Sequence, residues 1–266
     1  MSLRNAVFTL AATGSLALAT AGAMAQSPSQ SPADSPAQPS AAPAAASAPP
    51  ASTPRPPPVG DMKPLGKDRY QIGRIVVDKK AGRFTVPGRM HVMGQPLEYL
   101  VTAPGGMKEY ETLLEADATG SEFNLACILL GLERDPRQGP FYQFSVAPLV
   151  GPKVLVSIAW QDGGKRREIS AAEALLDPKG DVRPESVEWV YTGSLSMPPD
   201  GQFAADITGT LIGFVHDANS IIESVLGLGI GAYGSVSGNA ALLPPAGTPI
   251  EVIVQLPRDK AKPATP

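Results

Sequence analysis

Three carboxylates surround one Pro-Gly-Gly segment in the first half of the chain. In the stretch LEYLVTAPGGMKEYETL, Glu98 precedes this segment, and Glu109 and Glu111 follow it. If residues 103–106 form a loop between two antiparallel strands, Glu98 and Glu111 face each other roughly 5 Å apart, where like charges repel. Solvent, a cation or a shared proton must then offset the repulsion. A loop one residue longer or shorter would put the two carboxylates on opposite faces of the hairpin.

This carboxylate pair is compatible with two kinds of chemistry. Glu98 and Glu111 could bind a divalent cation together with His91, which precedes Glu98 in the chain. They could instead provide the acid and the base of a hydrolase, with Asp206 as a further catalytic candidate. No paired-cysteine or His-x-x-x-His spacing supports a metal site. A solvated acidic face is the simpler interpretation, and we predict no cofactor.

Other candidate motifs point to structure rather than to catalysis. The sequence GIGAYG, residues 229–234, matches a dinucleotide-binding pattern but neither follows a strand nor opens a helix, so it predicts a loop. Asp206 lies in a stretch typical of a turn between two strands, where its carboxylate would bond its own backbone. Ser194 is expected to be a turn residue, and Cys127 lies on an apolar stripe that predicts a buried, unreactive thiol.

The beginning of the sequence predicts export. Residues 1–25 have the layout of a signal peptide, with Arg4, an apolar stretch and the small-residue site Ala23-Met24-Ala25. Residues 26–60 consist almost entirely of Ser, Pro, Ala and Gln, which predicts a disordered linker with polyproline character. We expect residues 61–257 to form one globular domain and residues 258–266 a flexible tail. The protein would be periplasmic or secreted, with no membrane span after cleavage.

Charge and cysteine content exclude some classes of protein. The formal net charge is −3 and the pI is about 5.5, which gives no electrostatic footprint for nucleic acid. The basic run Lys165-Arg166-Arg167 follows Asp162-Gly163-Gly164, a good hairpin turn, and predicts a solvated loop. One cysteine cannot form an internal disulfide, so the domain must be stabilised by its core.

The period of the apolar residues predicts a strand-rich domain. Alternating patterns are clearest in KVLVSIAWQ and PIEVIVQL, and Gly and Pro interrupt the segments between strands. Helices are predicted at residues 122–132, at residues 171–176 behind a capping box of Ser170 and Glu173, and at residues 220–226. The predicted fold class is α+β, a single domain with a mostly antiparallel sheet and two or three short helices.

Several segments together resemble the YdjY-type domain family of exported bacterial proteins. They are, in order, LEYLVT, KEYETLL, NLACILLGLE, VSIAWQDGGKRREISAAEALL, WVYTGS, FAADITGTLIGFVHDANSII and SGNAALLPPAGTPIEVIV. The resemblance implies one extracytoplasmic domain of no established activity. Members of the family commonly read Lys-Glu-His-Glu-Ser where this chain has residues 108–112, so Tyr110 stands at the position of the histidine. Any metal or proton-transfer role of that histidine does not carry over.

These observations lead to one main functional expectation and two alternatives. The main expectation is an exported module that binds a small ligand or an envelope protein without catalysis. The first alternative is a metal-dependent or carboxylate-dependent hydrolase that uses Glu98 and Glu111. The second is a structural component of the envelope, which requires the signal segment to be retained.

Overall fold

A computed structural model describes residues 61–91, 94–177, 186–197, 201–228 and 235–258. The predicted leader and linker, the motif at residues 229–234 and nearly all of the predicted tail lie outside the described residues. Within the described ranges, no helix has the length and apolar character needed to cross a membrane. The strands are β1 (Met62–Gly66), β2 (Arg69–Ile72), β3 (Ile75–Asp78), β4 (Arg83–Met90), β5 (Tyr99–Thr102), β6 (Thr112–Ala116), β7 (Lys153–Asp162), β8 (Lys165–Ser170), β9 (Leu175–Leu176), β10 (Trp189–Tyr191), β11 (Ser196–Met197), β12 (Gln202–Phe203), β13 (Thr210–Gly213), β14 (Ile222–Ser224), β15 (Ser237–Gly238) and β16 (Pro249–Gln255). The helices are α1 (Gly120–Leu129) and α2 (Ala204–Thr208), with a 3-10 turn at Glu109–Glu111.

Eight of the strands close into a barrel. Their order is β4, β16, β7, β10, β14, β13, β5 and β6, and β6 pairs back to β4. The pairs β5 with β6 and β13 with β14 are parallel, whereas the other six neighbouring pairs of the barrel are antiparallel. Strands β1 to β3 extend the sheet beyond β4, and β8 extends it beyond β7. Because the barrel is closed, each of its eight strands has a hydrogen-bonded neighbour on both sides.

The predicted α+β class with a mostly antiparallel sheet is therefore wrong. The described chain is a mixed-sheet barrel that carries little helix. Of the three predicted helices, only α1 is present, and its N-cap is Thr119, whose side chain forms a capping box with Glu122. Residues 222–224 form β14 rather than a helix, because pairing with β10 and β13 overrides the weak local preference of a short apolar run.

Two further local predictions also fail. Residues 171–174 form a turn instead of a helix, although the capping contact between Ser170 and Glu173 does form. The stretch around Asp206, expected to be a turn between two strands, is α2. In both places the apolar residues are too few to define a period, so the sequence pattern could not distinguish a short helix from a turn.

The long alternating strands are confirmed. Buried side chains alternate along β7 and β16 as predicted, and the two strands pair with Ile158 opposite Val252. The Gly163-Gly164 turn joins β7 to β8 and sets Asp162 opposite Lys165, which confirms the hairpin turn. The basic run Lys165-Arg166-Arg167 is exposed as predicted, but it lies on strand β8 instead of in a loop. The buried residues of β7 and β16 are Val154, Val156, Ile158, Ala159, Trp160, Ile250, Val252, Ile253 and Val254.

Helix α1 packs on the barrel through an aromatic pair. The ring of Phe123 meets that of Phe84 edge-on, with centroids 5.1 Å apart. Cys127 on the same helix is fully buried, and this burial raises the pKa of its thiol. The prediction of a buried cysteine is confirmed, and an apolar site of this kind disfavours the reactive thiolate.

Candidate functional site

Glu98 and Glu111 do come together, but through a different strand pairing. Strands β5 and β6 are parallel with Tyr99 beside Thr112, so the residues just before them also lie side by side. The Glu98 N–H donates to the Glu111 carbonyl at 3.0 Å. The predicted antiparallel hairpin is wrong, because the intervening loop bonds to the end of α2 instead, with the Met107 N–H donating to the Thr208 carbonyl at 2.9 Å.

Lys108 supplies the cation that offsets the repulsion between the two carboxylates. Its Nζ lies 3.2 Å from Oε2 of Glu111 and 3.8 Å from Oε2 of Glu98. The amide of Gln143 donates to the same Glu98 oxygen at 2.8 Å. Burial lowers the pKa of Lys108, but the hydrogen bond to Glu111 and the charges of both glutamates raise it overall, so the amine stays protonated. We call Glu98, Lys108, Glu111 and Gln143 the carboxylate–lysine cluster.

A second polar group lies next to this cluster. The Tyr99 hydroxyl donates to Oδ2 of Asp217 at 2.8 Å. Glu223 is fully buried and accepts the backbone N–H groups of His216 and Asp217 at 3.1 and 3.2 Å. A Cβ on Gly213 would overlap the Glu223 carboxylate, so glycine makes room for the buried acid. We call Tyr99, His216, Asp217 and Glu223 the buried acid network.

Burial favours the uncharged form of most groups in this network. Burial and the charge of Asp217 raise the pKa of Glu223 well above its ordinary value of 4.5, against the opposing effect of the bonds that it accepts. Burial and Asp217 also raise the pKa of Tyr99. Burial lowers the pKa of His216, although carbonyl groups around its ring oppose the shift. The arrangement is a buried hydrogen-bonded group that favours the protonated form of Glu223.

Replacing Glu223 by glutamine is expected to change how stability depends on pH. Above about pH 4.5 the unfolded chain releases the Glu223 proton while the folded protein retains it, so the free energy of unfolding falls as pH rises toward the folded pKa. One proton contributes at most about 1.4 kcal/mol per pH unit. The stability of the wild type relative to Glu223→Gln should therefore decrease with pH, as measured by urea unfolding at about pH 5, 6 and 7. Glu168→Gln, at an exposed carboxylate, is the control, and parallel profiles for wild type and Glu223→Gln would show that Glu223 is ionised when folded.

Large apolar side chains lie on the surface around the carboxylate–lysine cluster. They flank its members in the chain on the loops that carry Lys108 and Gln143, and Nζ of Lys108 lies 5.7 Å from the centroid of the Tyr110 ring. The exposed fractions of these side chains are large for apolar residues. We call them the aromatic surface: Met107 (66%), Tyr110 (54%), Tyr142 (74%), Phe144 (37%) and Val146 (76%).

The loop that carries Tyr142, Phe144 and Val146, three of the five residues of this surface, is held in a strained conformation. Phe144 has a φ of 65°, a value that bulky residues rarely adopt. Its N–H donates to the Val215 carbonyl at 2.8 Å, and the Ser145 N–H donates to the Tyr142 carbonyl at 3.0 Å. His216, beside Val215, also has a φ of 65°. Strain of this kind tends to occur at functional sites, and it connects the aromatic surface to the buried acid network.

The remaining candidate residues lie in other contacts. His91 Nδ1 lies 3.7 Å from Oε2 of Glu115, which also binds Arg89 at 2.8 Å. Asp206 belongs to α2 instead of a turn, and its carboxylate accepts the N–H of Ser121 at 2.7 Å and also the Ser121 hydroxyl. Among the described residues, no three His, Cys, Asp or Glu side chains are grouped so that they could hold a metal ion.

Sequence reasoning missed most of the residues around Glu98. Lys108 stands out in the sequence only as part of the family pattern, and Gln143 has no local signal because it is distant from Glu98 in the chain. The aromatic surface had a usable signal: the segment FYQF, residues 141–144, places three aromatic residues in a stretch bounded by Gly and Pro. Aromatic residues in a segment with neither helix nor strand period indicate a surface loop with a binding role.

The comparisons with known proteins agree with the family resemblance. The YdjY domain model matches residues 75–255, which include all eight strands of the barrel. No curated protein and no solved structure shows significant similarity to the chain. The match covers more than half of the sequence and includes both loops of the aromatic surface, so the chain belongs to the YdjY domain family.

Proposed function

We propose that this protein is an exported, non-catalytic module that binds a protein partner of the cell envelope through the aromatic surface. The aromatic surface itself is the observation that carries the proposal: five large apolar side chains are exposed around a compact polar cluster. Tyr, Phe and Met are enriched at the centres of protein interfaces, where a few aromatic anchors supply most of the binding energy.

The polar cluster beneath the surface favours binding because it orders the two loops before a partner arrives. Gln143 and Lys108 converge on one oxygen of Glu98, which links the loop of Tyr142 to the loop of Tyr110. Pre-ordered side chains lose little conformational entropy on association. The strained backbone at Phe144 is held in the same way before binding.

The hydrolase alternative has less support. Glu98 and Glu111 share Lys108, so neither carboxylate approaches a bound substrate without breaking an internal ion pair. Asp206, the third catalytic candidate, is bonded to Ser121 at the start of α1. These contacts are typical of residues that hold a structure together.

Export is the second half of the proposal and rests on the sequence. The apolar stretch after Arg4 and the small residues at positions 23 to 25 have the layout that a signal peptidase recognises. The absence of a disulfide framework does not argue against export, because the barrel has a large apolar core.

Alanine at Tyr142 is expected to weaken partner binding without unfolding the protein. The probe is a peptide selected from a phage-displayed random library on residues 26–266. Its dissociation constant, measured by fluorescence anisotropy, should rise at least about tenfold for Tyr142→Ala and for Tyr110→Ala, because truncating an aromatic anchor removes about 1.4 kcal/mol or more. The side chains are exposed, so circular dichroism should show the same fold.

Leu155→Ala is the matched control, since Leu155 is an exposed apolar residue on β7, outside the loops of the aromatic surface. Its affinity for the selected peptide should stay within about twofold of the wild type. If the selection enriches no peptide, the aromatic surface is rejected as a protein-binding site. It is also rejected if the selected peptide binds Tyr142→Ala and Tyr110→Ala as tightly as it binds the wild type.

A further inference from the structure

We propose that His216 makes binding at the aromatic surface sensitive to acid, because protonation of its buried ring releases the loop of residues 141–146. This loop carries Tyr142, Phe144 and Val146, three of the five residues of the aromatic surface. The inference rests on the proposed function, because it assumes that a partner binds this surface. It adds a means of control, the release of the partner as the pH falls.

The ring of His216 lies against the first residue of this loop. His216 is fully buried, and its ring meets that of Phe141 edge-on, with centroids 6.4 Å apart. Nε2 of the ring lies 3.1 Å from the Ser224 carbonyl oxygen, which can only accept a hydrogen bond. Nε2 therefore carries the proton of the neutral ring, and an added proton binds to Nδ1. No group in the described part of the chain donates a hydrogen bond to Nδ1, so its lone pair is available for this proton.

The backbone beside His216 holds the same loop closed. The Val215 carbonyl accepts the Phe144 N–H at 2.8 Å, and Phe144 and His216 both have a φ of 65°. Two such conformations so close together store strain, so the closed loop depends on the packing around them. The neighbouring strand β14 is fixed on both sides by β10 and β13. A charge on the His216 ring is therefore relieved by movement of the loop rather than of β14.

Burial determines which form of the ring the closed loop favours. The titratable and charged groups on the elements packed against His216 are Asp217 beside it in the chain, Glu223 on β14, Tyr99 on β5, Glu98 directly before β5, Lys108 bound to Glu98, and Tyr142 in the loop. Burial lowers the pKa of His216 below its ordinary value of 6.5, and the backbone carbonyls of Ser145, Ser224 and Val225 only partly raise it again. The closed loop therefore disfavours protonated His216.

Acid consequently favours release of the loop. When the loop moves away, water reaches the ring and the pKa of His216 returns toward 6.5. The released protein then binds the proton more tightly than the closed protein does. Below pH 6.5 and down to the lowered pKa, the ratio of released to closed molecules rises by up to about tenfold per pH unit. Ionisation of Glu223 has the opposite sign, because it weakens the fold as pH rises, so the direction of the pH dependence distinguishes the two groups.

Hydrogen exchange of the Phe144 amide tests the release of the loop. Its protection factor, which corrects for the intrinsic pH dependence of exchange, should fall at least about fivefold between about pH 7.5 and 5.5. The Lys79 N–H, which donates to the Asp68 carbonyl at 2.8 Å away from the loop, is the internal control and should change less than about twofold. A constant protection factor at Phe144, or one that falls together with that of Lys79, overturns the inference.

Removal of the titrating ring tests whether His216 is the group responsible. Asparagine is enriched at φ values near that of His216, so His216→Asn suits the backbone and cannot take up the proton. The pH dependence of protection at Phe144 should be lost in this variant. His91→Asn is the matched control, because His91 is the only other histidine in the chain and pairs with Glu115. A response that persists in His216→Asn or disappears in His91→Asn overturns the assignment.

A measurement on the unchanged protein covers the case in which His216→Asn does not fold. The chain has two histidines, so its NMR spectrum contains two imidazole signals, and His91→Asn identifies one of them. The remaining signal, that of His216, should titrate below pH 6.5. Titration of His216 at or above pH 6.5 overturns the inference.

Binding of a library-selected peptide that contains no His, Asp or Glu completes the test. Its dissociation constant should rise at least about fivefold from about pH 7.5 to 5.5 in the wild type and in His91→Asn, and should stay constant in His216→Asn. A peptide that depends on Tyr142 but binds equally at both pH values overturns this inference and leaves the proposed function standing. If no selected peptide depends on Tyr142, the proposed function fails and the control of binding fails with it.

Discussion

Alanine at Gly88 is expected to destabilise the barrel by about 3 kcal/mol or more. Gly88 lies on β4 where this strand pairs with β6 and completes the ring of eight strands. An added Cβ would overlap the Glu115 carbonyl oxygen and lie 3.0 Å from the Ala116 Cα. Both atoms belong to the backbone, so no rotamer change can relieve the overlap and the two strands must separate. The measurement is urea unfolding followed by circular dichroism.

Gly139→Ala is the matched control for this substitution. No heavy atom lies within 4 Å of the position of its Cβ, and its φ is not in the left-handed region. The free energy of unfolding of this variant should stay within about 0.5 kcal/mol of the wild type. A Gly88→Ala protein as stable as Gly139→Ala would mean that β4 and β6 do not approach this closely, and that the barrel is open at this pair.

Methionine at Lys108 is expected to destabilise the protein by about 2 kcal/mol. The substitution keeps the length of the side chain and removes the charge that Glu98 and Glu111 share. Removing one partner of a buried ion pair is strongly destabilising because the remaining charges are left uncompensated. The side chain of Lys108 is 32% exposed, so solvent reduces the effect below that of a fully buried pair.

A second substitution distinguishes charge from packing. Adding Glu111→Gln to Lys108→Met should restore part of the lost free energy of unfolding, since the uncompensated charge is removed with it. Lys153→Met is the matched control, because Lys153 pairs with Glu188 on the exposed surface and should contribute less than about 1 kcal/mol. Equal losses for Lys108→Met and Lys153→Met would contradict a buried role for Lys108.

The proximity of Glu98 and Glu111 was predicted from the wrong geometry. An antiparallel hairpin and a parallel pair with Tyr99 beside Thr112 both put these two glutamates side by side. The Pro-Gly-Gly segment is typical of a hairpin turn, and nothing local marks it as part of a parallel connection. The hydrogen bond from the Met107 N–H to the Thr208 carbonyl holds the loop away from a hairpin turn. This contact joins residues about a hundred positions apart.

The sequence by itself determined the elements whose signal is local. The period-two patterns of β7 and β16, the glycine turn that joins β7 to β8, the burial of Cys127 and the family all follow from residues close together in the chain. These features follow from the propensities of the residues, the alternation of apolar and polar side chains and the residue types in turns. All three depend only on residues that are close in the sequence.

Only the tertiary structure decided which strands pair and which side chains meet. The closure of β4 on β6 and the convergence of the loops of Tyr110 and Tyr142 join segments that are far apart in the chain. The parallel pair of β13 with β14 and the placement of Lys108 between two glutamates join nearer residues, but no local pattern marks them. A strand pattern shows which face is buried but not which strand is its neighbour. That choice depends on the combined packing of the whole barrel, so the functional surface cannot be derived from any one segment.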